Sequence, residues 1–591
     1  MTWADLCQLI AFVLVLVAIA RVLGAYMADV FEGRPTFLSK PLLPVERLIY
    51  RFCRVDPKAG QTWMAYAGAC LIFGLVNFLL FYALLRLQGI LPLNPQRFGT
   101  ALARPGSTPV TPDLAFNIAV SFMTNTSWQS YAGETTLSYL SQMLGVAVES
   151  FTSAAAGMAV AMALIRGLVR QKSEDLGNFW VDVTRATLYI LLPLSLLGAV
   201  FLCSEGVIQN FRPYRQVETL EAGRQTIPLG PAASQESIKL MSSDGGGFFN
   251  ANSAHPFENP TPVSNFVEML LILAIPAGLT FSFGRMVGDQ RQGWTLFAAM
   301  LVLFCGGASI ATWSERGANP RLSAAGVTAR HGVNMEGKEV RFGIGGSALF
   351  SVVSTASADG AMNSAHESFT PLAGLVQMFN LKTGEVIFGG VGTGLVSMLL
   401  TVLLAVFIAG LMVGRTPEYL GKRIEAKEVK MVMLSTVVVG ASILTFSAAT
   451  FVVHFAPSGY WNPPGNPTVN LANQGPRGLS EILYDNASAA ATNGSAFAGL
   501  NANTPWFNLT LGLEMLIGRF FVIIPALAIA GNLARKPKLA ITSGTISTHG
   551  PLFVSLLLGT TVLITALTFF PTLSLAPIAE HYLMHGGVLF R

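Results

Sequence analysis

The chain has 591 residues, of which 52% are hydrophobic and 12% are charged, and its formal net charge is +5. Soluble domains carry a charge on about 25% of their residues, so a soluble fold could not cover this much apolar surface. The composition therefore predicts a helical membrane protein with many spans. It contains no basic-aromatic surface of the kind that binds nucleic acid, and no nucleic-acid partner is expected.

Apolar runs of about 20 residues predict about ten membrane-spanning helices. The first run has no Lys or Arg before it and no convincing cleavage site after it, so it is interpreted as a retained helix and not as a signal peptide. The runs lie near residues 7–25, 63–87, 137–165, 186–202, 263–283, 296–310, 391–413, 432–455, 511–530 and 552–570.

Basic residues are concentrated in alternate connections between these runs. If every run spans, the positive-inside rule places these connections in the cytoplasm and both termini outside it. The loop at 316–341 is also basic, but long loops obey the rule weakly. Such a basic face also predicts contact with anionic membrane lipids. The basic connections are 34–58, 166–172, 285–291, 415–430 and 535–538.

A short polar tract recurs four times between the apolar runs. The spacing of roughly 115 to 135 residues indicates an internally repeated fold. Each copy follows a helix-forming piece that is too short to span, at 113–122, 235–241, 347–355 and 480–490. The copies are T-N-T-S-W-Q-S-Y-A-G-E at 124–134, S-D-G-G-G-F-F-N-A-N-S-A-H-P-F-E-N-P-T-P at 243–262, D-G-A-M-N-S-A-H-E at 359–367 and N-G-S-A-F-A-G-L-N-A-N-T-P at 493–505.

The repeats predict how the chain is organised. Eight of the ten runs form four helix–loop–helix units, and one extra helix remains at each end. The predicted segments are 1–60 (first span and basic loop), 61–172, 173–292, 293–430 and 431–540 (pore repeats 1 to 4, the third with a broken second helix) and 541–591 (last span).

Irregular backbone at membrane depth is tolerated where protein surrounds it or where it lines a water-filled path. Four convergent loops that contain glycine could present main-chain oxygens that replace the hydration shell of a cation. The alternative is an ordinary outer turn, because Asn-Gly and Asp-Gly are common turn signals. Four copies at regular spacing, each after a short helix, favour the pore.

The tracts resemble the potassium-transporting ATPase A subunit family, KdpA. The strings that carry the resemblance are G-G-G-F-F-N-A-N-S-A-H-P-F-E-N-P-T at 245–261, T-N-T-x-W-Q, N-x-x-H-E-S-F-T-P, N-G-S-A-F-A-G-L-N-A-N-T-P and G-R-T-P-E-Y-L-G at 414–421. The resemblance covers almost the whole chain. It implies an all-α polytopic membrane protein of the K⁺ transporter superfamily, with four pseudo-symmetric membrane–pore-helix–membrane repeats around a central pore, in a bacterial inner membrane.

The resemblance also implies a function: the ion-binding and translocating subunit of an ATP-driven, high-affinity K⁺ uptake complex. Such a subunit binds extracytoplasmic K⁺ and passes it to a P-type ATPase B subunit, and the other implied partners are a C subunit, a small single-helix F subunit and membrane lipids.

The segment L-K-T-G at 381–384 lacks the aspartate of the P-type phosphorylation motif, and no phosphate-binding loop is present, so neither a catalytic site nor bound ATP is expected. Two alternatives stay open: an autonomous K⁺ channel or ion-coupled symporter of the same superfamily, and a nonconducting scaffold that anchors an ATPase.

The resemblance implies a set of filter positions. Ser127 and Asp244 stand where the family commonly has asparagine, and Asp359 replaces a small or thiol side chain. Main-chain oxygens would carry selectivity, so K⁺ preference is expected to survive, and the added carboxylates are hypothesised to raise general cation affinity. Gln129 matches a glutamine that is expected just below the first filter. The filter positions are Asn125, Thr126, Ser127, Ser243, Asp244, Gly245, Asp359, Gly360, Asn493 and Gly494.

Two features predict a gate. Arg519 lies well inside the ninth apolar run, where a charge should face the protein interior; it is read as a cationic gate below the filter, with pairing to Glu514 or reaching towards an interface as the alternative. The string F-G-G-V-G-T-G at 388–394, which includes Gly390, interrupts the third repeat after Lys382 and Glu385 and is read as an intramembrane gate, with a flexible linker as the alternative. Arg415, in the loop at 414–421, is grouped with these support and gate residues.

Two histidine–carboxylate pairs follow the filter tracts. His255 with Glu258, and His366 with Glu367, could suggest metal ligands. Each pair also fits a hydrogen-bonding support for the adjacent loop, and that structural role is favoured.

Overall fold

The computed structural model describes residues 1–221, 223–317, 320, 326, 334–454, 471–473, 475–540 and 546–587. Ten of the described helices are long and apolar enough to cross a membrane, which confirms the predicted number. These spans are Trp3–Phe31, Trp63–Ile90, Ser141–Val169, Phe179–Glu205, Pro262–Met286, Gln290–Glu315, Thr393–Val413, Ala426–Val453, Pro505–Arg535 and Pro551–His585.

Four shorter helices precede the polar tracts, where the sequence predicts them. These pore helices 1 to 4 are Pro112–Met123, Ala232–Met241, Gly343–Ala356 and Gly475–Ala490. The segments that follow are named filter loops 1 to 4, residues 124–130, 243–250, 358–366 and 492–504. Each pore helix and its loop lie between two spans, so the all-α fold with four repeats is as expected.

The same dipeptide begins the helix after filter loops 2, 3 and 4. Thr261, Thr370 and Thr504 are the N-caps of helices whose first residue is proline. Proline suits this position because its missing N–H would have had no partner within the helix. The Thr261 hydroxyl accepts from Ser264 N, and the Thr504 hydroxyl accepts from Phe507 N. The Thr-Pro pairs therefore mark where the chain leaves these three loops and the next helix begins.

The spans differ in how deeply they lie in the protein. The most apolar windows of Ser141–Val169 and Pro262–Met286 are 83% buried, whereas that of Trp3–Phe31 is 28% buried. The helices that follow the filter loops thus line the centre, and the terminal spans lie at the edge. In repeat 3 the central helix is interrupted: Pro371–Lys382 ends and Thr393–Val413 begins after a break.

Some elements have no counterpart among the predicted ones. Helix Ser39–Phe52, named the interfacial helix, occupies the first basic connection. Arg215–Glu218 pairs with Arg224–Ile227 and Glu418–Tyr419 pairs with Lys422–Arg423, both antiparallel. Short helical turns lie outside the spans at Gly133–Thr136, Asn252–Ala254 and His366–Ser368, and Gln88–Ile90 ends the second span. Three spans are made of consecutive segments, and one is a single helix: they are Ser141–Ala147 with Val148–Val169, Phe179–Arg185 with Ala186–Leu191 and Leu192–Glu205, Pro551–Leu573 with Ser574–Ile578 and Ala579–His585, and the single helix Ala426–His454.

Candidate ion filter and gate

The chain turns sharply where each pore helix meets its filter loop. Asn125, Ser243 and Thr492 have φ of 61°, 47° and 47°, and Gly360 has φ of 68°. Left-handed backbone is uncommon outside glycine, and here it reverses the chain back from the end of the pore helix. The tracts are therefore re-entrant loops.

The four loops meet at one place through their main chains. A Cβ added at Gly494 would lie 2.0 Å from Thr126 O, and one added at Gly360 would lie 2.2 Å from Asn493 O. At Gly245 it would lie 2.8 Å from Asp359 O and 3.0 Å from Thr126 O. Only glycine permits such an approach. Carbonyl oxygens of loops 1, 3 and 4 thus lie against the glycines of their neighbours.

The filter positions are enclosed by protein. All ten are buried, and Thr126, Ser127, Ser243, Asp244 and Asp359 are 0% exposed. An outer turn would leave such polar residues in solvent, so the outer-turn alternative is wrong. Enclosed irregular backbone of this kind can replace the water around an ion.

Side chains join filter loops in pairs. Asn125 Nδ2 donates to Ser243 O (2.8 Å) and Ser127 Oγ donates to Asp244 Oδ1 (2.7 Å), which ties loop 1 to loop 2. Asn493 Nδ2, in loop 4, donates to the carbonyls of Ser354 and Ser357 at 2.8 Å each, beside loop 3. The two asparagines therefore fix neighbouring repeats by the same kind of bond.

Hydroxyl groups satisfy amides of the loops. Ser357 Oγ accepts from Asp359 N (3.1 Å) and Ser488 Oγ accepts from Gly494 N (3.1 Å). Asp359 Oδ1 accepts from Ala361 N (3.0 Å). Within the described residues, Asp244 Oδ2 and Asp359 Oδ2 have no hydrogen-bond partner, so each of these carboxyl groups keeps one oxygen that no protein donor occupies.

Gln129 contacts filter loop 2. Its Oε1 accepts from Gly247 N (3.0 Å) and its Nε2 donates to Gly247 O (3.2 Å), so it braces filter loop 2 from loop 1. Both residues follow the converging positions along the chain. The expected place of Gln129 just below the first filter stays a prediction.

Arg519 lies near filter loop 1 and is 4% exposed. Its Nη2 donates to Ser153 O (2.6 Å), and Ser153 Oγ donates to Asn125 Oδ1 (2.9 Å). Ser153 therefore connects the Arg519 guanidinium to the side chain of Asn125. The alternative pairing with Glu514 is wrong, because Arg519 makes its contact elsewhere and neither Glu514 oxygen has a hydrogen-bond partner within the described residues.

The break in repeat 3 is a tight, buried loop. Glu385 has φ of 62°, and its carboxylate accepts from Gly390 N (3.0 Å) and from Thr492 Oγ1 (2.7 Å) of filter loop 4. A Cβ at Gly392 would lie 2.2 Å from Gly157 O, and a Cβ at Gly157 would lie 2.5 Å from Val391 O and 3.4 Å from Arg519 Nη2. The break thus reaches both a filter loop and Arg519, which is not the geometry of a plain linker.

The other two residues of the predicted gate lie at different distances from the break. Lys382 Nζ points towards Thr572 Oγ1 (3.4 Å) and lies 5.4 Å from the Phe569 ring centroid. It lines a cavity of about 90 Å³ that Gly384 and Val386 of the break also line. Arg415 is exposed just beyond the end of Thr393–Val413. A 21-residue helix separates it from the break, so the structure does not bring Arg415 to the filter.

The histidines after the filter loops pack as structural supports. His255 stacks on Phe249 with ring centroids 4.1 Å apart, and its Nδ1 accepts from Phe257 N (3.0 Å). Burial and the nearby Arg341 lower the pKa of His255 to about 4, so the imidazole is neutral. His366 Nδ1 lies 2.7 Å from the Tyr484 hydroxyl. In the described parts of the chain, no group of three His, Cys, Asp or Glu residues could hold a metal ion.

Two residues in these contacts were missed by sequence reasoning. Thr492 stands directly before the Asn-Gly of loop 4, so the motif could have identified it. Ser153 lies in an apolar helix of small residues, and only tertiary packing brings its carbonyl to Arg519. No signal in the sequence distinguishes Ser153 from the serines beside it.

Ten spans and four enclosed, convergent loops define a four-repeat helical membrane protein built around a central filter. The chain belongs to the family described as the potassium-transporting ATPase A subunit, KdpA, whose model matches residues 10–582. The potassium-transporting ATPase potassium-binding subunit of Solibacter usitatus is 56% identical over 592 residues, covering 100% of both chains. A subunit of the same name from Methylorubrum extorquens is 55% identical over 590 residues, covering 100% of this chain and 99% of that one.

A solved structure is also similar to this chain. The potassium transporter TrkH from Vibrio parahaemolyticus has a TM-score of 0.49 and 15% sequence identity. The match covers 88% of this chain and 98% of that one.

Proposed function

We propose that this chain is the K⁺-binding and translocating subunit of an ATP-driven potassium uptake complex. The observation that carries the proposal is the meeting of main-chain oxygens from different repeats against glycines that admit no side chain. Fixed carbonyl oxygens are the ligands that replace water around a dehydrated K⁺. The relatives at 56% and 55% identity bear the name of a potassium-binding subunit.

The filter positions then act together. Thr126, Asp359 and Asn493 supply main-chain oxygens, Gly245, Gly360 and Gly494 permit their approach, and Asn125, Ser127, Ser243 and Asp244 hold the loops in register. Below them, Arg519 and the break around Glu385 form the gate, because a fixed cation opposes the passage of another cation. Energy from a partner has to move the ion past this point.

The partners follow from the proposed role. A P-type ATPase B subunit would receive the ion and hydrolyse ATP, and a C subunit and a single-helix F subunit would complete the complex. We expect no ATP to bind to this chain. The charge asymmetry of the connections supports a location in a bacterial inner membrane with the amino terminus outside the cytoplasm.

The proposal is tested by closing the filter with a single methyl group. Gly360→Ala places a Cβ 2.2 Å from Asn493 O, at φ of +68°. Gly343→Ala is the matched control, because Gly343 has φ of +63° in the same repeat but no atom within 4 Å of an added Cβ. In proteoliposomes with the complete complex, we expect K⁺-stimulated ATP hydrolysis and Rb⁺ uptake to fall at least tenfold in Gly360→Ala and to persist in Gly343→Ala.

The same assay separates the alternatives. Normal coupled transport by Gly360→Ala would contradict the proposal and favour a scaffold. Rb⁺ flux through this chain reconstituted alone would favour an autonomous channel or symporter.

A further inference from the structure

The interfacial helix Ser39–Phe52 is divided into three stripes. Its buried stripe includes Glu46 and Tyr50, which face the protein. A second stripe, at helical spacing, is apolar and exposed: Val45, Leu48 and Phe52 are 42%, 65% and 86% exposed. The third stripe, beside it, is basic and exposed. It consists of Lys40, Arg47 and Arg51.

The helix is held in place by one carboxylate. Glu46 is 4% exposed and accepts from Tyr50 Oη (2.8 Å), Tyr189 Oη (2.7 Å) and Arg185 Nε (3.0 Å). Burial alone would raise the pKa of Glu46, but the hydrogen bonds from Tyr189, Tyr50 and Arg185 outweigh it and lower the pKa. The carboxylate is therefore ionised at neutral pH and fully used within the protein.

This anchorage fixes the orientation of the exposed stripes. The helix connects the spans Trp3–Phe31 and Trp63–Ile90, so it lies at the edge of the bilayer. A helix with an apolar stripe beside a basic stripe in this position lies in the interface plane, with its apolar side chains among acyl chains and its cations at the headgroups. Contact of Leu48 and Phe52 with water is unfavourable, whereas contact with acyl chains is not.

A cavity opens between this helix and the spans. Its volume is about 270 Å³, and its lining includes Arg34, Lys40, Arg185, Ser39 and Tyr189. Three cations and the Glu46 carboxylate line it, and Glu46 is already occupied by its three donors. Arg34 also pairs with Glu32 (2.7 Å) and with Asp29 (3.3 Å), but it is 55% exposed, so part of its guanidinium remains accessible. Lys40 makes no ion pair within the described residues, so the cavity offers the Lys40 ammonium, the accessible part of Arg34 and hydroxyl groups.

We propose that this cavity and the interfacial helix form a binding site for one anionic phospholipid, with the phosphodiester between Arg34 and Lys40 and the acyl chains along Val45, Leu48 and Phe52. Arginine and lysine bind phosphate oxygens by charge-assisted hydrogen bonds. The adjacent apolar stripe favours a lipid over free phosphate, because free phosphate has no acyl chain to pack against the stripe. A zwitterionic headgroup would bring its own cation against Arg34 and Lys40 and is disfavoured.

The test compares lipids retained by the full-length chain. The protein is placed in bilayer nanodiscs of equal parts phosphatidylglycerol and phosphatidylcholine, then extracted into detergent, and bound lipids are counted by native mass spectrometry. Each cation near a membrane surface contributes about fivefold to the affinity for anionic lipid. We expect Arg34→Gln/Lys40→Gln to lose about fivefold or more of the preference for phosphatidylglycerol.

Three further variants give the proposal its controls. Arg34→Lys/Lys40→Arg should keep the preference, because the charges remain. Arg54→Gln/Lys58→Gln removes two exposed cations from the same connection, outside the cavity lining, and should also keep it. Leu48→Ser/Phe52→Ser should lower the retention of both lipids alike. An unchanged preference in Arg34→Gln/Lys40→Gln, or an equal loss in Arg54→Gln/Lys58→Gln, would overturn the site.

Discussion

At the scale of single residues, two buried carboxyl groups lie among the proposed filter positions. Asp244 and Asp359 are 0% exposed, and each has one oxygen without a hydrogen-bond partner in the described chain. In its ionised form such a carboxyl group would attract any monovalent cation, since the Coulomb interaction does not depend on ionic radius at a fixed separation. Selectivity between cations stays with the main-chain oxygens.

The first prediction follows from assigning affinity to the carboxyl groups and selectivity to the main-chain oxygens. Asp244→Asn and Asp359→Ala should each raise the K⁺ and Rb⁺ concentrations needed for half-maximal ATP hydrolysis by about threefold to tenfold, which corresponds to about 1 kcal/mol. The ratio between K⁺ and Rb⁺ should stay the same. Unchanged apparent affinity for both ions in both variants would reject a role for the carboxylates.

Arg519 gives the second prediction. Removing a fixed cation from the path leaves no charge to oppose downhill flow, and Arg519→Ala is expected to give Rb⁺ leak through the complex without ATP. Arg519→Lys is the control, because it keeps the charge. Tracer flux into proteoliposomes in the absence of nucleotide measures both, and tight coupling in Arg519→Ala would contradict the gate.

At the scale of elements, one short hairpin joins two central helices. Lys422 is 0% exposed, and its Nζ donates to Arg170 O (2.5 Å), Leu533 O (3.0 Å) and Lys536 O (2.6 Å). These carbonyls lie at the ends of Val148–Val169 and Pro505–Arg535, where helical carbonyls lack partners. One ammonium therefore caps both helices and holds the hairpin to them.

The third prediction tests this cap. Lys422→Met should lower the free energy of unfolding by about 2 kcal/mol or more, because hydrogen bonds to a charged donor are lost at buried carbonyls. Lys427→Met, at an exposed position of the same segment, should change it by less than about 0.5 kcal/mol. Thermal unfolding in detergent compares the two, and equal midpoints would show that the cap contributes no stability.

The sequence predicted the elements whose signals are strong and local. Apolar runs gave the ten spans, and short helix-forming pieces before repeated polar tracts gave the four pore helices. The interfacial helix was missed because it is short, contains Pro41 and Pro44, and carries basic residues that were counted only as charge. The role of Lys422 was missed for the same reason, since a lysine in a basic loop shows its partners only after folding.

The candidate site, like the fold, was predictable from the sequence only in part. The family resemblance and the polar tracts predicted the filter positions, and glycine marks the close main-chain approach in repeats 2, 3 and 4. Filter loop 1, residues 124–130, contains no glycine. The partners of individual side chains were not readable: Gln129 bonds to loop 2, Lys382 faces a cavity beside the break and Arg415 is exposed beyond a helix end. These placements depend on long-range packing, for which residue spacing carries no information.

At the scale of the whole molecule, the bonds that cross between filter loops join repeat 1 to repeat 2 and repeat 3 to repeat 4. Asn125, Ser127 and Gln129 reach loop 2, while Asn493 and Thr492 reach repeat 3. Between these pairs, Gly245 meets Asp359 O and Gly494 meets Thr126 O, and glycine brings no side chain to lock the contact. Side chains close these two seams beside the glycines. Ser130 Oγ of loop 1 donates to Asn508 Oδ1 of repeat 4 (2.8 Å), and Asn363 Nδ2 of loop 3 donates to Asn265 Oδ1 of repeat 2 (2.8 Å). Each repeat is therefore tied to both of its neighbours, so the ring cannot widen at one loop without straining bonds on either side of it.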